Sequence, residues 1–189
     1  MPQSQSVSFR AGCTRFASPL LLLIAAVCWA VPLSEYQVKA AFLFNFARFV
    51  EWPPGTFQSP DSPFIIGVLG QDPFGAQLDD IVRGETVDKR PMAVRRYHTV
   101  GELRDCNILY IDRSEIRSLP QILAALKGRS ILTVSDATEA DQSGVMIQLI
   151  MDRNRIRLRI DVGAARAESL TISSKLLRPA EVVGGGEHP

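Results

Sequence analysis

Three aspartates stand at comparable places in this 189-residue chain: Asp72 after FIIGVLGQ, Asp112 after NILYI and Asp136 after ILTVS. Each closes a short apolar run. If those runs are neighbouring strands, the three carboxylates gather at one sheet edge, where their hard oxygens suit Mg²⁺. The same residues also suit the starts of turns or helices, with Ser114 and Thr138 close behind as further caps. Asp72-Pro73 has the pattern of an N-cap followed by Pro at the first helical position, which would consume the amide donors a phosphate needs. Other chemistry is sparse. His98 is the one histidine outside the C-terminal tail. The glycines of GVLGQDPFG, at 67, 70 and 75, fit neither the dinucleotide fingerprint nor a P-loop. No zinc spacing, Ser-His-Asp set or nucleophile elbow can be assembled. The residues therefore argue against an enzyme and assign no cofactor.

The elements that hold these residues begin after an N-terminal leader. MPQSQSVSFRAGCTRFASPLLLLIAAVCWA, residues 1–30, has Arg10 and Arg15, no acid, and an apolar run too short to span a bilayer. That is the layout of a secretory signal peptide, with cleavage after Ala30. A lipid anchor at Cys28 is the alternative, opposed by bulky Val27 just before it. Loss of Arg10 and Arg15 takes Lys plus Arg from 21 to 19 against 20 Asp plus Glu. Near-neutrality argues against nucleic acid or an anionic membrane as the main partner. The remaining chain is the size of one domain with one core: residues 31–183, followed by a flexible tail, GGGEHP, at 184–189. Cys106 is then the only cysteine, and its place in an apolar run marks it as a buried thiol.

Ser34 and Gln37 form a capping box. The helix they start is expected to run from Glu35 to about Trp52 and to stop at Pro53-Pro54. At ~100° per residue, Val38, Phe42, Leu43, Phe46, Ala47, Phe49 and Val50 fill one side and are expected in the core. Asn45, Arg48 and Glu51 lie opposite. Phe44 falls on that polar side, between Arg48 and Glu51. It is either a contact point for another protein, an apolar centre with a charged rim, or a ring covered by the chain's own C-terminal segment.

Downstream, FIIGVLG (64–70), PMAVRRYH (91–98), CNILYID (106–112) and SILTVSD (130–136) read as strands. They alternate with helical stretches at 74–84 and 114–128, the second bent at Pro120. Continuous apolar strands between helices predict a mostly parallel sheet covered on both faces. After Gly144 the pattern changes to an antiparallel hairpin, VMIQLIM (145–151) and RIRLRID (155–161), turning at Asp152–Asn154. Ile156, Leu158 and Ile160 point inward and Arg155, Arg157 and Arg159 outward, the mark of strands near a sheet edge. The arginine ladder either keeps that edge from pairing with other sheets or docks on an acidic partner. AARAESLTISSKLLRPAEVV adds two short helical pieces around LTI.

Taken together, EYQVKAAFLFNFARFVEWP, GVLGQDPFG, RDCNILYID, ILTVSD, GVMIQLIMDRNRIRLRID and LTISSKLLRPAEVV resemble the YfiR family, in order, over Glu35 to Val183. The resemblance implies an α/β, Rossmann-like three-layer fold and a homodimer. It also implies a periplasmic protein that binds the periplasmic domain of a membrane diguanylate cyclase and lowers cyclic-di-GMP output. The family offers no catalytic residues to transfer. Relatives often carry a cysteine in the strand matching FIIGVLG, able to bridge to the one matching Cys106. Here Gly67 holds that place, so the bridge is missing. The approach to the hairpin, ADQSGVMI, also departs from the family's glycine-rich pattern at Ser143. The alternative to partner binding is a small-ligand sensing module with a cleft at the strand ends. Export predicts a mature chain beginning near Val31 in mass spectrometry of the periplasmic fraction; an intact cytoplasmic chain beginning at Met1 contradicts it.

Overall fold

The computed structural model describes residues 34–138, 140 and 144–185. The signal-peptide segment, the approach at 141–143 and the end of the tail lie outside these residues. Ser34 caps helix α1 (Glu35–Phe49) as the sequence predicts. Its hydroxyl accepts from the Gln37 amide at 3.2 Å, and the Gln37 side-chain carbonyl accepts from the Ser34 amide at 2.7 Å.

The helix ends three residues earlier than expected. Val50–Glu51 become a short strand, β1, because the Phe49 carbonyl accepts from the Ser173 amide at 2.8 Å and β1 pairs antiparallel with β9 (Thr171–Ile172). A β-branched Val50 followed closely by Pro53 favours extended backbone over another helical turn.

The main sheet is built from β2 (Phe64–Leu69), β3 (Thr86–Val87), β4 (Arg90–Tyr97), β5 (Ile108–Ile111), β6 (Leu132–Ser135), β7 (Ile147–Asp152), β8 (Arg155–Asp161) and β10 (Glu181–Val183). Their order is β10-β8-β7-β6-β5-β2-β4-β3, parallel except at the β7–β8 hairpin and the β3–β4 pair. Helices α1, α2 (Ala76–Val82), α4 (Val162–Ala167) and α5 (Ser174–Leu177) bury their apolar side chains in one core cluster, with Ile66, Tyr110, Val134, Leu149 and Ile160 of the sheet. Helix α3 (Leu119–Leu126) does so in the other, with Leu69, Leu109 and Ile111. The expected three-layer α/β architecture, mostly parallel with an antiparallel C-terminal hairpin, is thus the observed one. The strands carry continuous burial because both faces are covered.

Three details differ from the sequence reading. The 114–128 stretch is a 3₁₀ segment, Arg113–Ser118, followed by α3, and Pro120 lies in the first turn of α3, where its missing N–H costs nothing. Asp72 accepts from the amides of Phe74 and Gly75, at 2.8 and 3.3 Å, but α2 starts only at Ala76. The two helical pieces expected around LTI are present as α4 and α5, but the chain after α5 also adds β10, parallel to β8; the hairpin is therefore covered along Arg159–Asp161 and open along Arg155–Leu158 among the described residues.

Helix α1 is also rolled by about 50° from the expected orientation. Its fully buried side is Lys39, Ala40, Leu43, Phe46 and Ala47, while Phe42 and Phe49, expected in the core, are only half-buried on the flank. Lys39 is the cause. Its ammonium is fully buried and pairs with Asp136, whose side chain is also fully buried, and with Glu35 one turn back. Arg113 adds a bidentate contact to Asp136 at 3.0 and 3.1 Å, and the Tyr36 hydroxyl donates to it at 3.3 Å. Burial alone would raise the Asp136 carboxyl; Arg113, Lys39 and Tyr110 outweigh it and hold it below the usual aspartate value.

Gly67 in β2 fits for a different reason. A Cβ there would stand 2.7 Å from the Cys106 sulfur, 2.9 Å from the Tyr97 ring and 3.0 Å from Leu109. Cys106 is a free, buried thiol, as expected, and burial pushes its pKa up to about 12.

Two outcomes follow from this packing. Asp136→Asn leaves the buried Lys39 ammonium with only the partly exposed Glu35 carboxylate and should cost about 3 kcal/mol in urea unfolding at neutral pH. Lys39→Met/Asp136→Asn should recover at least ~1 kcal/mol of that loss. Because the folded pKa of Asp136 is depressed, its contribution is present above the unfolded value of about 3.9 and fades as pH falls below it, and the double variant lacks that portion of acid sensitivity. Additive single-variant costs would contradict the pairing. Separately, Gly67→Ala should destabilise by about 1–3 kcal/mol through overpacking and Cys106→Ala by about 1–2 kcal/mol through a small cavity. The double variant should cost less than the sum, since the nearest clash is removed.

Candidate functional site

The carboxyl ends of the parallel strands, where α/β folds commonly bind ligands, are closed in this chain by internal pairing. Asp136 lies under Lys39 and Arg113. Asp112 caps the following 3₁₀ segment, accepting from the Ser114 amide at 2.9 Å. Asp72 takes the Arg96 guanidinium at 2.9 Å, and the same guanidinium bonds Asp79 at 2.8 Å. That hydrogen bond holds the Asp79 carboxyl below the ordinary range. The three aspartates of the sequence reading thus each have a separate structural partner. Among the described residues, no group of three His, Cys, Asp or Glu side chains is placed to hold a metal ion.

The remaining candidates lie on α1 and on the hairpin. Phe44 is half-buried against the main core, and the Arg48 guanidinium sits 4.7 Å from its ring centroid. Arg48 in turn pairs with Glu85 at 3.2 Å, with both side chains about half exposed, so the pair adds little stability but sets the guanidinium over the ring. Glu51 is exposed on β1, beside this cluster in sequence and paired through its backbone to Thr171.

On β8 the alternation is as predicted: Leu158 and Ile160 are buried, Ile156 is half-buried, and Arg155 and Arg157 are exposed. Arg157 pairs with Asp152 at 3.2 Å and Arg159 with Glu181 of β10 at 3.1 Å. Those pairs seat the two arginines along the hairpin and its covering strand. Arg155 instead rims a groove of about 430 Å³ between the first half of α1 and the hairpin tip, with Glu35, Val38, Phe42, Met151 and Ile156.

That groove was not read from the sequence. It exists because the roll of α1 moves Val38 and Phe42 out of the core. The hairpin supplies the other wall through a two-residue turn in which Arg153 and Asn154 both have positive φ, 45° and 64°. This register sets Met151 opposite Ile156. Met151 is 41% exposed, unusual for so large an apolar side chain. The signal available in the sequence was Lys39, a charged residue in the middle of an otherwise apolar helix face. The structure therefore places Arg155 with Val38 and Phe42 on one flank of α1, and Phe44 with Arg48 on the opposite flank.

No helix among the described residues is long and apolar enough to cross a membrane. A search of curated proteins finds no match to this chain. A family profile described as YfiR/HmsC-like matches residues 36–181, from the first turn of α1 to the start of β10. Members of that family are periplasmic regulators in cyclic-di-GMP signalling, regulatory rather than catalytic. With the α/β architecture and the match over most of its length, the chain belongs to the YfiR/HmsC-like family.

Proposed function

We propose that this protein is exported by removal of residues 1–30 and binds the periplasmic domain of an inner-membrane diguanylate cyclase, restraining it and lowering cyclic-di-GMP output. The observation that carries this reading is the family match across essentially the whole described domain. The surface supports it. An exposed Met151 beside half-buried Phe42 and Val38, rimmed by Glu35 and Arg155, has the make-up of a protein contact: an apolar centre inside a charged rim. A partner lying across the exposed ridge of α1 would touch this groove on one side and Phe44, Arg48 and Glu51 on the other. Arg155 is the cation of the hairpin ladder best placed for that role, while Arg157 and Arg159 keep their pairs with Asp152 and Glu181 and cover the sheet edge. A second copy of the chain on the same ridge would account for a homodimer.

The test is capture of the cyclase from solubilised membranes by tagged protein, with cellular cyclic-di-GMP read in parallel. Met151→Glu alters an exposed side chain and should leave stability within about 0.5 kcal/mol of the parent. It should nonetheless weaken capture by more than ~1 kcal/mol and raise cyclic-di-GMP. A Met151→Glu/Arg155→Glu protein that is folded, captures the cyclase as the parent does and leaves cyclic-di-GMP unchanged would remove the groove from the interface.

A further inference from the structure

At the end of the sheet opposite Asp136, where β2, β5 and β6 begin, lies a cleft of about 480 Å³. The size suits a small organic molecule. Its walls carry an excess of cationic donors: Arg95, Arg104 and Arg129 against the single carboxylate of Asp105. That carboxylate makes only a long contact to Arg95, at 3.8 Å. Arg129 is fixed in place, its Nη2 donating to the carbonyls of Leu103 and Arg104 at 2.9 and 3.0 Å, which leaves Nε and Nη1 without partners among the described residues. Arg104 is exposed and has no side-chain partner among those residues.

The second observation is independent of these charges. Asn107 lines the cleft, yet is 6% exposed. Its Oδ1 accepts from the Ile65 amide at 2.8 Å, which fixes the orientation of the side-chain amide. The Nδ2 group is then left with no hydrogen-bond partner among the described residues. The Nδ2 atom is not closed off from solvent, so it is a fixed donor at the cleft wall that a ligand acceptor can take over from water. Phe57, Pro63 and Ile131 supply apolar wall beside these donors.

We infer that this cleft binds a small organic anion, a carboxylate or phosphate on an apolar body, received by Asn107 Nδ2 and the guanidiniums of Arg104 and Arg129. The inference does not rest on the cyclase reading, since the cleft lies at the other end of the domain's strands from the Asp136 cluster and shares no residue with the α1–hairpin groove.

Isothermal titration of the purified protein with benzoate, phenyl phosphate and neutral benzamide tests it. Saturable binding of benzoate or phenyl phosphate in the millimolar range or tighter is expected, with benzamide too weak to measure; which anion binds better separates carboxylate from phosphate. Arg104→Gln, at an exposed position, should keep the parental melting curve and weaken the anion about tenfold. Asn107→Asp keeps the acceptor for Ile65 and exchanges the donor for a carboxylate oxygen, so binding should be lost. Equal binding of benzamide, no binding of either anion, or unchanged affinity in folded Arg104→Gln overturns the proposal.

Discussion

A buried ammonium must find a carboxylate, and the pairing of Lys39 with Asp136 is the constraint on which the rest of this domain is arranged. It ties the first helix to the carboxyl end of β6, 97 residues away. It also draws in Glu35, Tyr36 and Arg113. Once Lys39 faces inward, the roll of α1 is fixed. The small Ala40 and Ala47 then meet the sheet, and Phe46 becomes the fully buried aromatic of the helix. Phe42 and Phe49 move to one flank and Phe44 to the other. The groove beside the hairpin and the Arg48-covered face of Phe44 are both consequences of that one buried pair.

The same pair determines which end of the sheet is available. With Asp72, Asp112 and Asp136 taken up by Arg96, Ser114 and Lys39 with Arg113, the carboxyl edge is closed by the chain's own groups. The opposite edge keeps unpaired donors around a cleft. Cys106 lies beside that cleft with its thiol pushed up to about 12 by burial, so little thiolate exists at neutral pH. With Gly67 as its nearest neighbour in β2, it has no second cysteine among the described residues to bridge to.

How much of this was legible in the sequence depended on the range of the interactions. The capping box at Ser34, the parallel strands and the hairpin were readable because each leaves a local pattern: reciprocal side chains three residues apart, continuous apolar runs, or strict alternation. Arg155 and Arg157 of β8 are exposed as alternation requires, while Arg159 is half-buried beside β10. What failed was non-local. No periodicity announces that Lys39 will be buried by an aspartate on another element, so the core face of α1 was read too far toward Phe49. Two- and three-residue strands such as β1, β9 and β10 carry no pattern of their own; they exist because a neighbouring strand offers free backbone groups. Asp136 was visible as a residue at a strand end, but its role depended on Lys39, Tyr36 and Arg113 converging in space. Met151 looked like the last apolar residue of a strand, and only the hairpin register and the displaced Phe42 reveal it as one wall of a groove.

The proposed role of this family member is to restrain a cyclase across the membrane by occupying its periplasmic domain. The most direct measurement is cyclic-di-GMP in cells lacking this chain, with the partner cyclase either intact or catalytically dead. Restraint predicts a rise on deletion that disappears when the cyclase is dead. An unchanged or lower level on deletion, or a rise that persists with the dead cyclase, would contradict it.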